Sequence, residues 1–437
     1  MANKLFFRHA LLPFGWAQNV TVNIISGLIS DIEVNTLPDG ATYDIALPGM
    51  VNLHSHSFQR AMAGLAEVRH ASSDSFWTWR DLMYRFALQM SPDDIAVVAT
   101  QAFVEMLEGG FCHVAEFHYL HHAPDGQEYD DIGEMAVRIA EAASITGIDL
   151  TLLPVFYAHA GFGRQVPALE QRRFVNSIAS YERLYDRCAA VAAVGIAPHS
   201  LRAAMPDELL LLSELAGTKP VHIHIAEQIA EIEQCVALYG QRPVEYLLNH
   251  LPVDKNWCLI HATHTTAQER TDILALNAVI GLCPVTEANL GDGIFPARDF
   301  SGAWGIGSDS NICIGVRDEL RMLEYSQRLH FHQRNVMAGD ITRATATALY
   351  QKAIEGGDQA VGRKGGIVVG EAANIVGLIG DDPDSALASW VFASRNSQVP
   401  HVWARGNKVV SDGRHMLAEI NQSRFDAVVR RLNLGTP

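Results

Sequence analysis

Residues 45–56 read IALPGMVNLHSH, an apolar run that ends in polar residues, and the chain repeats this pattern in seven later runs. Such a run, bounded by polar residues, is typical of a buried parallel strand. Segments with helical spacing separate most of the runs; in residues 91–110, Ser91 fits an N-cap and Gly109-Gly110 a stop. Eight alternations of strand and helix predict an α/β fold, a (β/α)8 TIM barrel over residues 48–364. The later runs are FCHVAEFHYL (111–120), LTLLPVFYAHA (150–160), VAAVGIAPHS (191–200), PVHIHIAE (220–227), WCLIHATH (257–264), AVIGLCPVTEAN (278–289) and WGIGSDSN (304–311).

Residues 1–47 and 365–437 have a different texture. Short alternating apolar stretches are punctuated there by turn pairs such as Gly406-Asn407 and Asp412-Gly413. Because these two segments flank the predicted barrel, we expect them to combine in one small β-sandwich domain built from both chain termini. Residues 1–47 would supply its N-terminal part and residues 365–437 its C-terminal part.

The composition excludes several kinds of partner. The 437 residues carry a net charge of -16, which argues against nucleic acid and anionic membranes, since both attract basic patches. No apolar stretch approaches the ~20 residues of a membrane span, and Arg8 and His9 interrupt the apolar N-terminus, which argues against a signal peptide. Six scattered cysteines without a CxxC pair favour free thiols in a reducing compartment. We therefore expect a cytoplasmic protein.

Ionisable residues lie where the apolar runs end, and in a barrel all such ends face one rim, where active sites form. His54 and His56 are two residues apart, so both project to the same side of a strand and can contact one ion. An isolated His-x-His pair is more often two packed histidines, but His224 and Asp309 end two further runs. Three imidazoles and a carboxylate suit one Zn²⁺ per chain, with a position left for water; Fe²⁺ or Mn²⁺ would also be tolerated. A second metal ion would usually need a bridging anionic ligand such as a carbamylated lysine. The nearest lysine, Lys219, begins its run at the opposite end of the barrel, so a second metal is not expected.

Five separated motifs resemble the amidohydrolase superfamily, in its mononuclear deaminase and chlorohydrolase branch: PGMVNLHSH, HIHIAE, LIHATH, CPVTEANLGDGIFP and GIGSDSN. The resemblance covers nearly the whole chain. Within that branch, HSHSFQRAMAGLAE, EFHYLHH and GIAPHSLRA resemble the family of bacterial formimidoylglutamate deiminases. The resemblance implies hydrolysis of N-formimino-L-glutamate, a small dicarboxylate, to N-formyl-L-glutamate and ammonia in histidine degradation. It also implies a homodimer.

The resemblance further implies roles for individual residues. Arg80 is the transfer with the weakest local context, because it lies in the long segment after the first strand and not in a tight motif. Carried over by position, the metal ligands are His54, His56, His224 and Asp309; the catalytic residues are Glu227, His261 and Asp309; the substrate contacts are Gln59, Arg80, Tyr119, His199 and Arg202.

These residue types suit a hydrolytic deimination. A divalent ion lowers the pKa of a bound water molecule, and Asp309 can accept a proton as hydroxide forms. His261 can orient that water, and Glu227 can act as general acid and base by delivering a proton to the departing ammonia. Arginines such as Arg202 and Arg80 are the residues of choice for the carboxylates of the substrate, through planar bidentate contacts. Without the resemblance, Arg202 would be assigned to a surface salt bridge and Tyr119 to aromatic packing.

Two alternatives remain open from the sequence. One is a deaminase or chlorohydrolase of the same branch, acting on guanine, another purine or pyrimidine, or an s-triazine; a planar neutral base would not call for two arginines near the site. The other is a non-catalytic barrel that serves as a scaffold, which would be expected to lose ligands or the acid/base residue. All of those residues are present here.

Overall fold

The computed structural model describes residues 2–68, 76–394 and 398–434, which form a mixed α/β structure. The strands are β1 (Ala2–Leu12), β2 (Gly15–Ile25), β3 (Leu28–Glu33), β4 (Thr42–Pro48), β5 (Met50–Ser55), β6 (Phe111–His118), β7 (Asp149–Phe156), β8 (Ala193–Val194), β9 (Ala197–Pro198), β10 (Val221–Ile225), β11 (Trp257–His261), β12 (Val279–Leu282), β13 (Trp304–Ile306), β14 (Ile375–Leu378), β15 (His401–Ala404), β16 (Asn407–Ser411) and β17 (Arg414–His415). The α-helices are α1 (Phe76–Ala87), α2 (Pro92–Glu108), α3 (Glu134–Thr146), α4 (Ile178–Ala189), α5 (Pro206–Ala216), α6 (Ile229–Tyr239), α7 (Pro243–His250), α8 (Ala267–Leu276), α9 (Pro284–Leu290), α10 (Val316–Phe331), α11 (Thr345–Ala360), α12 (Pro383–Ala388) and α13 (Ala418–Leu434). Short 3₁₀ turns cover Ser57–Met62, Leu169–Gln171 and Ala297–Asp299, and a π-helical turn covers Ser389–Ala393.

The strands in the middle of the chain are parallel, and all but β8 and β9 are separated by helices. β5 to β8 form one sheet in sequence order with β9 paired to β7, and β10 to β13 form a second sheet in sequence order. Each of the eight predicted runs contains one or more of these strands, so their carboxyl ends point the same way. Isolated parallel bridges connect the edges of the two sheets, at Ile196–Val221 and Ser200–His224 on one side and at Ser55–Asp309 on the other.

Two runs differ in detail from the prediction. The fourth run is divided into β8 and β9 around Gly195, where an added Cβ would lie 2.6 Å from the Pro220 carbonyl oxygen. Only glycine allows the next strand to approach so closely. The seventh run is a strand only as far as Leu282, because a proline at position 284 begins α9.

The helix predicted after residue 91 has the caps expected from the sequence. The Ser91 hydroxyl accepts a hydrogen bond from the Asp94 backbone N–H, and the Asp94 carboxylate accepts one from the Ser91 backbone N–H. Gly109 is the C-cap. This reciprocal capping satisfies donors that the first turn would otherwise leave unpaired.

Both chain termini contribute to one eight-stranded sheet, in the order β17-β16-β15-β14-β4-β1-β2-β3. The join is made by β4, which is parallel to β1 and antiparallel to β14. The prediction that the termini build one β unit therefore holds, and the strands form a single hydrogen-bonded path. Its own apolar core includes Phe7, Val22, Ile375 and Trp403, while a larger core surrounds the parallel strands.

All six cysteines have free thiols, as predicted, and five of them are buried; Cys313 is exposed. Within the described ranges, no helix has both the length and the apolar character needed to cross a membrane.

Candidate active site

The four predicted metal ligands converge at the carboxyl ends of the parallel strands. Asp309 Oδ1 lies 3.3 Å from His54 Nε2 and 3.2 Å from His56 Nε2. The Nε2 atoms of His54 and His224 are 2.9 Å apart. One donor atom from each of the four buried side chains lies within 4.8 Å of the others. Residues far apart in sequence thus present a compact set of nitrogen and oxygen donors.

Backbone carbonyls orient two of these imidazoles. His56 Nδ1 donates to the carbonyl oxygen of Phe117 at 2.8 Å, and His224 Nδ1 donates to that of His199 at 3.0 Å. Since Nδ1 carries the proton, each Nε2 presents a lone pair toward the centre of the cluster. This is the arrangement by which proteins fix the tautomer of metal-bound histidine. The donor set and its orientation fit a divalent metal ion.

The charge states also suit metal binding. Burial lowers the pKa of His54 to about 3 and holds the pKa of His224 well below its usual range, so both rings are neutral near pH 7. Burial would raise the pKa of Asp309, but the adjacent His54 and His56 side chains hold it well below its usual range. Neutral imidazoles and an ionised carboxylate are the forms that bind a metal ion.

The position of Asp309 is fixed by backbone contacts with the first parallel strand. Its N–H donates to the His54 carbonyl at 2.9 Å, and its own carbonyl accepts from the His56 N–H at 2.9 Å. The buried Asn52 amide holds the preceding residue, Ser308, through contacts of 2.7 and 3.0 Å. The backbone of Asp309 has a φ of 45°, a left-handed conformation that costs energy for a non-glycine residue and is common at functional sites.

His261 lies beside the cluster, between two carboxylates. Its Nδ1 is 3.3 Å from Glu287 Oε1 and its Nε2 is 3.8 Å from Asp309 Oδ2. Burial would lower the pKa of His261, but Glu227, Glu287 and Asp309 outweigh it and raise the pKa to about 10. In this arrangement His261 is a proton donor directed at the site.

Glu227 follows β10 by two residues and lines the same cavity as His224. The turn that presents it is held by Glu231, whose carboxylate accepts from the backbone N–H groups of Ala226 and Glu227 at 3.1 and 3.3 Å. Glu227 is 5% exposed, so its carboxylate is directed into the protein and not into solvent.

The cluster forms the base of a cavity. His54 does not line it and lies beneath it, fully buried. Every other predicted site residue lines the cavity, which is formed by His56, Gln59, Trp79, Arg80, Met83, Tyr84, Tyr119, Tyr157, Phe174, His199, Arg202, His224, Glu227, His261, Leu290 and Asp309.

Two of the predicted substrate contacts are bound to each other. Gln59 Nε2 donates to the Tyr119 hydroxyl at 2.7 Å, while Gln59 Oε1 is buried and has no partner among the described residues. The Tyr119 ring packs edge-on against His56 with centroids 4.9 Å apart. His199 adjoins the cluster through a tilted ring contact with His224 at 4.9 Å.

The two predicted arginines reach the cavity from different elements. Arg80 lies on α1, with its guanidinium carbon 5.5 Å from the Tyr84 ring centroid. Arg202 forms no hydrogen bond or salt bridge within the part of the chain that the structure describes. Burial would lower the pKa of Arg202, but the carboxylates of Glu231 and Glu227 raise it, so the guanidinium keeps its charge. A cation in this position suits an anionic ligand.

Several ionisable residues of the apolar runs lie elsewhere. The Glu116 carboxylate accepts from the Ser57 backbone N–H at 2.6 Å, and His159 Nε2 contacts Glu208 at 3.1 Å. His222 bonds to the Ala360 carbonyl at 2.8 Å, deep in the core. These residues support the structure around the cavity and do not line it.

The sequence prediction gave no role to four polar residues near the site. Glu287, the partner of His261, is the carboxylate residue of the seventh run. The sequence of the run does not predict the helical turn that directs this carboxylate toward His261. Tyr84 lies on α1, Tyr157 directly follows β7, and Gln171 lies in the loop between β7 and α4. No motif or spacing marks these three, and only tertiary packing brings them together.

Comparison with known proteins agrees with this geometry. The model of the amidohydrolase family matches residues 45–409. A formimidoylglutamate deiminase of Pseudomonas aeruginosa is 46% identical, over 98% of this chain and 99% of its own length. Among solved structures, an amidohydrolase from Brucella melitensis has a TM-score of 0.96 and 48% identity, covering 99% of this chain and 100% of its own.

A more distant structure shares the fold. An adenosine deaminase from Xanthomonas campestris, solved with bound zinc, has a TM-score of 0.80 at 20% identity, over 99% of this chain and 98% of its own. The match to the family model spans the parallel strands, the four-residue cluster and strands β14 and β15 of the terminal sheet. The chain therefore belongs to the amidohydrolase family.

Proposed function

We propose that this protein hydrolyses N-formimino-L-glutamate to N-formyl-L-glutamate and ammonia, as a step in histidine degradation. One observation carries the proposal: a single cavity has three histidines, Asp309 and Glu227 at its base, and two guanidinium groups on its walls. In a substrate that joins an amidine to two carboxylates, the amidine would lie at this base and the carboxylates would lie near the guanidinium groups. The extensive similarity to a formimidoylglutamate deiminase supports the same substrate.

The proposed cofactor is one Zn²⁺ per chain, held by His54, His56, His224 and Asp309. Three imidazole nitrogens and one carboxylate oxygen are donors that Zn²⁺ accepts, with a position left for water; Fe²⁺ and Mn²⁺ are tolerated by the same set. When bound, such an ion lowers the pKa of a water molecule and so supplies a hydroxide nucleophile at neutral pH.

Asp309 and His261 would manage the proton of the attacking water. One carboxylate oxygen of Asp309 lies near His54 and His56. The other lies 3.8 Å from His261 Nε2. Its carboxylate can therefore accept a proton as the nucleophile forms. His261, held by Glu287 on its other side, can orient the water and stabilise the charge that develops on the substrate carbon's oxygen.

Glu227 would act as the general acid and base at the leaving nitrogen. Addition of water to the formimino carbon gives a tetrahedral intermediate, in which that carbon bears one hydroxyl and two nitrogens. Glu227 transfers a proton to the terminal nitrogen, which leaves as ammonia. As the C–N bond breaks, the hydroxyl gives up its proton to the same carboxylate and the formyl C=O forms. A carboxylate in direct reach of that nitrogen can perform both proton transfers.

The remaining predicted residues would hold the substrate. Arg202 and Arg80 supply positive charge for the carboxylates, and Gln59, Tyr119 and His199 supply neutral hydrogen bonds nearer the reacting carbon. The two arginines in the cavity argue against a planar neutral base as the substrate, because such a base would offer the buried Arg202 guanidinium no counter-charge, at a cost in free energy.

The experiment that tests the function is an ammonia-release assay on the zinc-loaded protein, with formiminoglutamate, guanine and cytosine as parallel substrates. We expect turnover of formiminoglutamate alone. Turnover of a base without turnover of formiminoglutamate would assign the protein to the purine or pyrimidine deaminases of its branch. Inactivity on all three, with zinc bound, would contradict the proposal.

The same proposal includes the larger architecture. The two parallel sheets and the bridges at both of their seams support a closed (β/α)8 barrel over residues 48–364, with a β-sandwich from residues 1–47 and 365–437. Six free thiols support a reducing compartment, as in the cytoplasm. The homodimer implied by the family resemblance stays a prediction, which sedimentation equilibrium would test.

A further inference from the structure

Gln171, a buried residue in the loop between β7 and α4, joins two tyrosines of the cavity. Its Nε2 lies 2.6 Å from the Tyr157 hydroxyl and 3.2 Å from the Tyr84 hydroxyl. Tyr84 lies on α1, while Tyr157 directly follows β7. One amide nitrogen thus connects two walls of the cavity that are distant in sequence.

The orientation of the Gln171 amide is determined by its other contact. Gln171 Oε1 lies 2.8 Å from the backbone nitrogen of Ala168, which can only donate. The oxygen must therefore face Ala168, and the NH₂ group must face the tyrosines. Both tyrosine hydroxyls accept hydrogen bonds from Gln171, so each keeps its own hydrogen for a different partner.

Those two hydrogens have no acceptor among the residues that the structure describes. Tyr84 and Tyr157 are 9% and 8% exposed, and both line the cavity. A buried hydroxyl donor without an acceptor costs free energy, so such groups are rare unless they serve a ligand. Burial raises the pKa of both hydroxyls, which keeps them protonated and able to donate.

The His199 ring connects Tyr157 to His224, one of the proposed metal ligands. The Tyr157 ring is 4.8 Å from His199, which in turn contacts His224. The Tyr84 ring lies beneath the Arg80 guanidinium. This part of the cavity therefore offers O–H and N–H donors and positive charge. Donors without acceptors, beside guanidinium groups, match a carboxylate.

We propose that the hydroxyls of Tyr84 and Tyr157, aligned by Gln171, bind a substrate carboxylate and make this end of the cavity selective for an anion. The tyrosines act as binding residues and Gln171 as a positioning residue. This inference rests on the proposed function for the identity of the substrate, but the donor geometry predicts carboxylate binding whichever amidine is hydrolysed.

The test compares Tyr84→Phe, Tyr157→Phe and the double variant with the wild type, all loaded with zinc. We expect each single change to raise KM for formiminoglutamate about 10-fold, and the double change to raise it further, because a hydrogen bond to a charged group is worth about 1.4 kcal/mol or more. The kcat should stay within about 3-fold. Tyr185→Phe is the matched control, since Tyr185 is also buried with an unpartnered hydroxyl but lies outside the cavity.

A parallel arm measures the Kd of glutarate, a dicarboxylate without an amidine, by calorimetry. It separates the two proposals: absence of formiminoglutamate turnover in the wild type would refute the function, and glutarate binding would then decide the inference alone. A double variant that binds both compounds like the wild type would overturn the inference. So would a wild type that neither turns over formiminoglutamate nor binds glutarate.

Gln171→Met tests the positioning role. Without the amide, the hydroxyls can rotate, so we expect KM to rise about 3- to 10-fold in the wild-type background and to change little in the Tyr84→Phe/Tyr157→Phe background. Equal effects in both backgrounds would show that Gln171 acts through something other than the two hydroxyls. Thermal unfolding of each variant accompanies the kinetics, so that a loss of folded protein is not counted as a loss of binding.

Discussion

A substitution at Glu227 should reduce catalysis without affecting metal binding. Glu227→Gln keeps the shape and the neutral hydrogen bonds of the side chain but removes its ability to accept and deliver a proton. We expect kcat/KM for ammonia release to fall about 10²- to 10⁴-fold, the usual contribution of a positioned acid/base group. Zinc content, measured by atomic absorption, should stay near one per chain.

The matched control for that variant is Glu233→Gln, which changes an exposed carboxylate on α6, the helix that follows Glu227. Its kinetics should equal those of the wild type. Near-normal turnover by Glu227→Gln would remove this residue from the mechanism.

Arg202 should govern substrate affinity and leave the metal site intact. Its guanidinium lines the cavity and has no ion-pair partner within the described residues, so Arg202→Met removes charge without breaking a salt bridge. We expect KM for formiminoglutamate to rise about 10- to 100-fold, which corresponds to 1.5–3 kcal/mol for a hydrogen-bonded charge. Bound zinc should stay near one per chain, and Arg183→Met, at an exposed salt bridge with Glu128, should change neither quantity. Loss of zinc in Arg202→Met would contradict a role restricted to carboxylate binding.

The metal cluster and the tyrosine pair differ in how far the sequence could predict them. His54, His56, His224 and Asp309 lie at or just after strand ends, where the period of a strand and the common rim of parallel strands fix their direction. Gln171 has no such constraint. It lies in a loop whose path depends on packing against α1, so its contacts could not be derived from spacing.

At the scale of single elements, the apolar runs predicted the parallel strands well because buried strands need continuous apolar sequence. Their ends were predicted less well. The seventh run continues past Leu282 into α9 without losing its apolar character, and only the proline at its start marks the change. Glu287 therefore lies on a helix, which is what directs its carboxylate to His261.

Strand β6 carries a histidine, His113, that should make the protein sensitive to acid. Its Nδ1 accepts from the Arg363 guanidinium at 2.9 Å, and its Nε2 donates to the Thr151 hydroxyl at 2.9 Å. Burial and then the Arg363 charge lower the pKa of His113 to about 3. Between pH 6.5, its ordinary value, and pH 3, the unfolded chain binds more protons here than the folded chain. The free energy of unfolding should therefore fall as the pH falls through this window.

His113→Gln tests this linkage, because an amide can accept from Arg363 and donate to Thr151 but does not titrate. Urea titrations at several pH values should give a variant that loses less stability than the wild type between pH 7 and pH 4. The difference should approach roughly 3 kcal/mol at pH 4, since each pKa unit is worth about 1.4 kcal/mol. Metal loss in acid affects both proteins and cancels in the difference. The exposed His330→Gln control should follow the wild type; parallel curves for His113→Gln would contradict the assignment.

At the scale of the whole molecule, opposite ends of the parallel strands serve different purposes. The carboxyl ends hold the cavity, while near the amino ends Asp149 bonds to Asn374 and Arg405 from the C-terminal segment, at 2.7 and 3.0 Å. These bonds tie the C-terminal β unit to the parallel strands. This division matches the general pattern in which the carboxyl face carries function and the amino face carries stability.

Metal binding should couple the site to the stability of the fold, because the four proposed ligands come from the first, fifth and last of the predicted strand runs. An ion that binds only the folded chain stabilises it by RT ln(1 + [L]/Kd), about 4 kcal/mol at a free concentration 1,000 times Kd. Stripping with a chelator should therefore lower Tm by several degrees, and Tm should rise with the logarithm of added Zn²⁺ in scanning calorimetry. Asp309→Asn should abolish most of that dependence, whereas Cys313→Ser, which removes the exposed thiol, should leave it unchanged. Two results would contradict binding by these four side chains. One is a wild-type Tm that does not change with zinc concentration, and the other is an Asp309→Asn Tm that still rises with it.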